Sequence, residues 1–250
     1  MRLLIVLAAA LALCSCISTR QNPPQAIDPI HLAAWYGQPR AVAATLLLKT
    51  TTATGESTQV TVYLWRAADG RTRLLLTKVD VDVLSALVQP DGAFTAFAPR
   101  SGLQTAGELS DPQLPAGLAD LRLLLNELCD GPLPPGLAKG DHDNVLTGPT
   151  DGGLVATVTV SPTTDEITEK VLRTRSGGLV YLLRYGPAKD YDGIRRAAKV
   201  DTVVGDGSSL TAYLRRFDVL GDISPERMRF TIPAAAKTVP PAEFLEHLDQ

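Results

Sequence analysis

The chain has 250 residues, of which 45% are hydrophobic, 20% charged and 5% aromatic, and its formal net charge is −3. This composition is that of a globular protein and excludes a disordered or collagen-like chain. Because 24 Lys and Arg residues face 27 Asp and Glu residues, no strongly basic surface is available. We therefore predict no nucleic-acid partner.

The N-terminal residues predict export and lipid attachment. Arg2 is the only charge before Arg20, and the apolar run between them is shorter than the roughly 20 residues of a membrane-spanning helix. A basic start, an apolar stretch and a small-residue exit are typical of a secretory signal peptide. Residues 13–16, Leu-Cys-Ser-Cys, resemble the lipobox of bacterial lipoproteins. We predict a signal peptide over residues 1–15 and lipid (for example palmitate) on Cys16, with an ordinary signal peptide as the alternative.

The residues after Cys16 predict where the protein is anchored. Several acyl chains on one cysteine would give stable membrane attachment. Residue 17 is Ile, not the Asp that retains enterobacterial lipoproteins in the inner membrane. We expect a cell-envelope protein at the periplasmic face of the outer membrane. Residues 16–29, polar and containing Pro-Pro, are predicted to form the lipidated flexible tether, and residues 30–250 a single domain.

Alternation of apolar and polar residues, typical of half-buried strands, recurs along the chain. It predicts a first antiparallel meander with strands over residues 41–49, 60–66, 71–78, 79–84 and 93–98. It predicts a second series over residues 153–160, 167–174, 179–185, 197–204, 210–217 and 228–232. Turn signals rich in Gly, Pro and Asp separate most of these segments.

Helical spacing of leucines predicts one longer helix over residues 118–129, which ends at Asp130-Gly131-Pro132. Shorter helices are predicted at residues 30–35 and 242–247, and residues 132–150 and 223–226 are predicted to be loops. The helices are grouped and do not alternate with strands. This order predicts an α+β protein with a large antiparallel sheet of about 10–11 strands and 2–3 helices.

Catalytic and metal-binding patterns are absent from the sequence. It has three histidines and no zinc-helix, Cys-x-x-Cys, nucleophile-elbow or phosphate-loop motif. The run Asp141-His142-Asp143-Asn144 carries ligand-type residues, but its Gly- and Pro-rich context favours a solvated turn. Cys129 is predicted to be a small buried hydrophobe. We therefore predict a protein that is not an enzyme, with no catalytic residue, no metal and no cofactor.

Several motifs resemble the LolA/LolB-like superfamily of lipoprotein carriers and receptors. They are R-A-x-D-G-R-x-R-L at residues 66–74, Q-P-D-G-x-F-x-x-F-x-P at residues 89–99, a helix before D-G-P, and Y-D-G-I-R at residues 191–195. The resembling stretches are residues 65–76, 89–99, 121–132 and 179–217. The resemblance implies an unclosed antiparallel half-barrel whose open side is capped by helices. It also implies a space between sheet and helices that accepts acyl chains.

The resemblance implies a set of apolar positions for that cavity. We expect the strands to contribute Val62, Leu64, Leu74, Leu76, Phe94, Tyr181, Leu183 and Leu214, and the helix to contribute Leu121, Leu124 and Leu125. Receptors of this superfamily also carry a protruding apolar loop residue. The nearest candidates for such a membrane-contact loop are Leu84, Leu87 and Val88, just before Gln89-Pro90.

Three functions remain open at this point. The first is a lipid-anchored protein that binds acyl chains of lipoproteins or another lipid and helps localise them to the outer membrane, with a periplasmic carrier as a further partner. The second is a structural or assembly lipoprotein that uses its sheet as a protein-binding scaffold. The third is a hydrolase with a dispersed site. An open apolar interior favours the first, and a filled core with an exposed aromatic edge favours the second.

Overall fold

A computed structural model describes residues 29–109, 111, 123, 125–134, 136–140, 142–150 and 153–247. The predicted signal peptide, Cys16 and most of the tether lie outside these residues. So do Leu121, Leu124 and half of the predicted helix over residues 118–129.

The N-terminal half begins with a short helix and continues as a strand meander. Helix α1 spans Pro29–Trp35. The strands that follow are β1 (Ala41–Thr51), β2 (Ser57–Arg66), β3 (Thr72–Lys78), β4 (Val81–Val88), β5 (Ala93–Ala98) and β6 (Leu103–Glu108). Each pairs antiparallel with the next. The predicted meander is therefore present, with β6 as an additional strand.

The second half contains a π-helical turn at Asn126–Asp130 and a second strand series. Its strands are β7 (Ala138–Lys139), β8 (Val145–Pro149), β9 (Val155–Val160), β10 (Ile167–Arg173), β11 (Leu179–Tyr185), β12 (Ala188–Tyr191), β13 (Ile194–Ala197), β14 (Lys199–Val204) and β15 (Ser209–Leu220). The C-terminal elements are helix α2 (Pro225–Met228), strand β16 (Lys237–Thr238) and helix α3 (Pro241–Glu246).

Fourteen strands form one open sheet in the order β16-β6-β5-β4-β3-β2-β1-β15-β14-β11-β10-β9-β8-β7. The two halves join where β1 pairs antiparallel with β15. Hairpin β12–β13 stands apart as a two-stranded sheet. Both edge strands of the large sheet have only two residues, which leaves little edge for another chain to pair with. The predicted α+β half-barrel, unclosed and capped by short helices, is confirmed.

One face of the sheet carries the main hydrophobic core. Val62, Leu64 and Leu74 are fully buried there, with Leu46 of β1 beside them. Phe244 of α3 packs into the same cluster, as does Cys129, which is 1% exposed. The prediction that Cys129 is a buried hydrophobe is therefore confirmed.

The strand predicted over residues 228–232 is wrong, and the loop predicted over residues 223–226 is correct only for residues 223 and 224. Met228 ends the helical turn α2, and residues 229–232 form neither a helix nor a strand. Side chains hold this segment: Arg73 donates to the Arg229 carbonyl at 3.3 Å and lies over the Phe230 ring. The segment therefore contacts β3 through the Arg73 side chain and does not pair with that strand. Residues 132–150 also differ from the predicted loop, because they contain β7 and β8.

Candidate functional site

A small cavity of about 40 Å³ lies between the sheet and the segments that cover it. By the same measure a single water molecule needs about 10–15 Å³, so the cavity has room for a few waters. An acyl chain therefore requires the covering segments or the lining side chains to move.

The sheet side of the cavity is mostly apolar and comes from five strands. β15 contributes Leu210, Ala212 and Leu214, and its neighbour β1 contributes Leu46. On the other side of β15, the lining residues of β14, β11 and β10 are Val200, Thr202, Leu183, Tyr185 and Ile167. These positions follow from the two-residue period of strands, which turns alternate side chains of adjacent strands to the same face.

Three separate segments form the described part of the cover. Tyr36 follows α1, and Glu127 and Leu128 belong to the π-helical turn. Ala188 and Arg196 come from hairpin β12–β13. None of these segments belongs to the large sheet, and side-chain contacts fasten the first two segments to the sheet and the hairpin.

A buried polar cluster fastens the π-helical turn to the sheet. Glu127 accepts from Lys170 Nζ at 2.5 Å through one carboxylate oxygen and from the Tyr185 hydroxyl at 2.6 Å through the other. Burial, reinforced by the Glu127 charge, raises the pKa of Tyr185 well above its ordinary value. Tyr185 therefore remains a neutral donor over the physiological range.

Arg196 connects the three parts of the cover. Its guanidinium donates to the carbonyl oxygens of Leu128 at 3.0 Å and Gly37 at 2.9 Å, and it lies over the Phe217 ring. The turn next to it is tight, because a Cβ on Gly131 would lie 2.1 Å from the Tyr36 carbonyl oxygen. Gly131 also has a φ of 90°, which favours glycine. The position of the cover therefore depends on Gly131 and Arg196.

Two of the predicted cavity residues line the cavity, and the others that the structure describes lie in packed clusters. Leu183 and Leu214 line the cavity. Those in the packed main core are Val62, Leu64, Leu74, Leu76, Phe94 and Leu125, while Tyr181 packs in a smaller cluster with Leu183. Leu121 and Leu124 lie outside the described residues.

The candidate membrane-contact residues do not form a loop. Leu84, Leu87 and Val88 belong to strand β4; Leu84 and Val88 are buried, and Leu87 is half-buried. The apolar residue that protrudes is Val79, 91% exposed in the two-residue turn between β3 and β4. Both turn residues, Val79 and Asp80, have positive φ (51° and 60°), as in a type I′ turn. The predicted strand over residues 79–84 therefore begins two residues too early.

Most polar residues of the site carry no sequence signal of their own. Glu127 and Lys170 lie 43 positions apart and meet only because the π-helical turn covers β10. Arg196 follows Asp192-Gly193, a dipeptide typical of a hairpin turn, and both residues have positive φ in the turn between β12 and β13. That turn signal could have identified the hairpin, but not the contacts of its arginine.

Neither metal-binding nor membrane-spanning features occur among the described residues. No group of three His, Cys, Asp or Glu side chains there could hold a metal ion. Asp143 instead forms an exposed ion pair with Lys139 at 2.6 Å. No described helix is long and apolar enough to cross a membrane.

Comparison with known proteins identifies the fold. No protein-family model matches the chain, and no curated protein matches it in sequence. A LolA superfamily protein from Nitrosomonas europaea matches with a TM-score of 0.57 at 11% identity, over 80% of this chain and 95% of the other. A DUF1329 family protein from Desulfovibrio piger matches with a TM-score of 0.57 at 14% identity, over 80% and 93%.

A third similar structure is a domain from Vibrio parahaemolyticus named for outer membrane lipoprotein sorting. It matches with a TM-score of 0.52 at 12% identity, over 78% of this chain and 90% of the other. The chain therefore has the LolA/LolB-like fold, as its motifs predicted.

Proposed function

We propose that this protein is a lipid-anchored, periplasmic binder of acyl chains that helps to localise lipoproteins or another lipid to the outer membrane. The observation that carries the proposal is the cavity between the open sheet and its three covering segments. Its sheet side is built mostly from aliphatic residues, and apolar walls with few polar groups are typical of small-molecule sites.

The described cover is suited to opening. It consists of short segments that meet the sheet through identifiable polar contacts: Lys170–Glu127, Tyr185–Glu127 and the Tyr36 hydroxyl with the Ile167 amide. Displacing the π-helical turn would expose Leu183, Leu210 and Leu214 to an incoming chain. In this proposal, the small cavity is the closed state of a larger acyl-chain binding site.

The similar structures support a binding function. One of them is named for lipoprotein sorting, and none of the three is named for a catalytic activity. We also propose that Val79 contacts the membrane, because an exposed apolar side chain at a hairpin tip can insert into a lipid surface.

Two measurements test this function. Native mass spectrometry of the full chain carrying Cys16→Ala should detect bound lipid, or uptake of an added fatty acid. A chain that takes up neither would refute acyl-chain binding. Separately, Cys16→Ala should abolish metabolic acyl labelling and release the protein from membranes, whereas Cys14→Ala should change neither.

A second function, a protein-binding scaffold, rests on a different surface. Val171, Leu182 and Val203 form a cross-strand row on the outer face of the sheet, and Val203 is exposed. A partner protein would bury this row. Loss of a co-purifying protein on Val203→Asn, with lipid uptake unchanged, would favour the scaffold.

A further inference from the structure

Polar groups in the cavity wall retain unused hydrogen-bonding capacity. Thr202 lines the cavity and is 5% exposed, yet its hydroxyl has no hydrogen-bond partner among the described residues. Buried hydroxyls are normally paired. The neighbours of Thr202 in the sheet explain the missing hydrogen bond. Leu183 and Leu210 lie directly beside Thr202 on the adjacent strands, and both are aliphatic.

A second donor, the Tyr36 hydroxyl, lies in the same wall, and a third, the Lys170 ammonium, is bound to the lining residue Glu127. The Tyr36 hydroxyl accepts the Ile167 amide hydrogen at 3.2 Å but donates to no described group. The Lys170 ammonium has three hydrogens, and within the described chain it donates only to Glu127. Both side chains are buried. Each unused donor in such surroundings is costly unless something accepts its hydrogen bond.

The register places Lys170 and Thr202 on one line across the sheet. Lys170 faces Leu183, and Leu183 faces Thr202, so the two polar residues lie two strands apart, roughly 10 Å between backbones. Glu127, above this line, already accepts from Lys170 and Tyr185 through its two oxygens. The available partners for a ligand at this end of the cavity are therefore donors.

We infer that this end of the cavity recognises the carbonyl oxygen of an acyl group, while the hydrocarbon chain lies along Leu46, Ala212 and Leu214. The inference rests on the proposed acyl-chain binding and specifies which part of the ligand is held by polar contacts. A fatty acid and a fatty-acid ester both present such an oxygen. An alkane of the same chain length does not.

The test compares lauric acid, methyl laurate and dodecane as competitors for the apolar dye N-phenyl-1-naphthylamine bound to the full chain carrying Cys16→Ala. One net hydrogen bond should make the acid and the ester bind about 3–10-fold more tightly than dodecane. Tighter binding of the acid indicates free fatty acids as the source of the carbonyl, and tighter binding of the ester indicates glycerolipids or lipoproteins.

Thr202→Val removes the hydroxyl and keeps the shape of the side chain. It should reduce the preference for methyl laurate over dodecane at least about threefold. Tyr36→Phe is a second, independent variant with the same expected direction. Thr157→Val, on the outer face of the same sheet, should have no effect.

The outcomes separate this inference from the proposed function. Equal binding of all three competitors, or a preference that survives both Thr202→Val and Tyr36→Phe, would overturn carbonyl recognition and leave acyl-chain binding intact. Failure of all three to displace the dye would refute acyl-chain binding itself.

Discussion

Lys170 Nζ lies 2.5 Å from Glu127 Oε1, and the two side chains are only 7% and 8% exposed. Lys170 belongs to strand β10 and Glu127 to the π-helical turn, so this ion pair joins the sheet to its cover. A buried pair adds little net stability relative to a well-packed apolar pair, because both charges must be desolvated. Its effect is positional: it determines where the cover rests above the cavity.

Lys170→Met should destabilise the fold by about 3–5 kcal/mol, because it leaves Glu127 buried without its cation. Urea unfolding followed by circular dichroism measures this change. The double variant Lys170→Met with Glu127→Leu should recover most of the loss. Lys199→Met, which removes the exposed pair with Asp201, should have a much smaller effect. Equal losses for the two lysine variants would contradict the assigned role of the buried pair.

Gly131→Ala should disrupt the cover and cost at least about 1–3 kcal/mol of stability. The new Cβ would lie 2.1 Å from the Tyr36 carbonyl oxygen, in a backbone conformation unfavourable to alanine. Gly55→Ala is the matched control, since Gly55 has nearly the same φ (91°) and a Cβ added there would meet nothing within 4 Å. Thermal unfolding should show a larger decrease in Tm for Gly131→Ala. Similar decreases would mean that strain alone, without the clash, accounts for the effect.

Stability should fall at alkaline pH, in part because of Tyr185. Burial first, and the Glu127 charge second, raise the pKa of Tyr185 in the folded state well above the ordinary value of about 10. The stabilisation is therefore complete below pH 10 and is lost as the pH rises from 10 toward the folded-state pKa, since the unfolded chain loses this proton first. The unfolding free energy of Tyr185→Phe, measured from pH 8 to 11, should decline less steeply. Parallel curves would exclude this role for Tyr185.

Substitution of Val79 can separate an effect on membrane binding from an effect on folding stability. Val79→Asn should raise the unfolding free energy by about 1 kcal/mol, because asparagine tolerates positive φ better than a β-branched residue. The same substitution should weaken binding to phospholipid vesicles of the full chain carrying Cys16→Ala, measured by sedimentation. Val203→Asn, at an exposed valine outside this turn, should leave vesicle binding unchanged. Unaltered vesicle binding by Val79→Asn would exclude Val79 as a membrane contact.

The sequence predicts the sheet better than the site. Alternation in β2, with Val62 and Leu64 on one side and Tyr63 and Trp65 on the other, is a local signal and is sufficient to place the strand. The same alternation cannot distinguish an inward residue in packed core, such as Leu64, from one at the cavity, such as Leu214. That difference depends on which segment covers each strand, and the cover is fixed by contacts between residues far apart in sequence. Lys170 with Glu127 and Arg196 with Gly37 are contacts of this kind.

Photo-crosslinking tests most directly whether the cavity accepts an acyl chain. A fatty acid with a diazirine in its chain is bound to the full chain carrying Cys16→Ala, irradiated, and located by peptide mass spectrometry. Acyl-chain binding at this site predicts labelled peptides containing Leu183, Thr202 and Leu214, and loss of this labelling in Ala212→Phe, which fills the cavity. Labelling confined to the outer face of the sheet, or cavity labelling unchanged by Ala212→Phe, would contradict it.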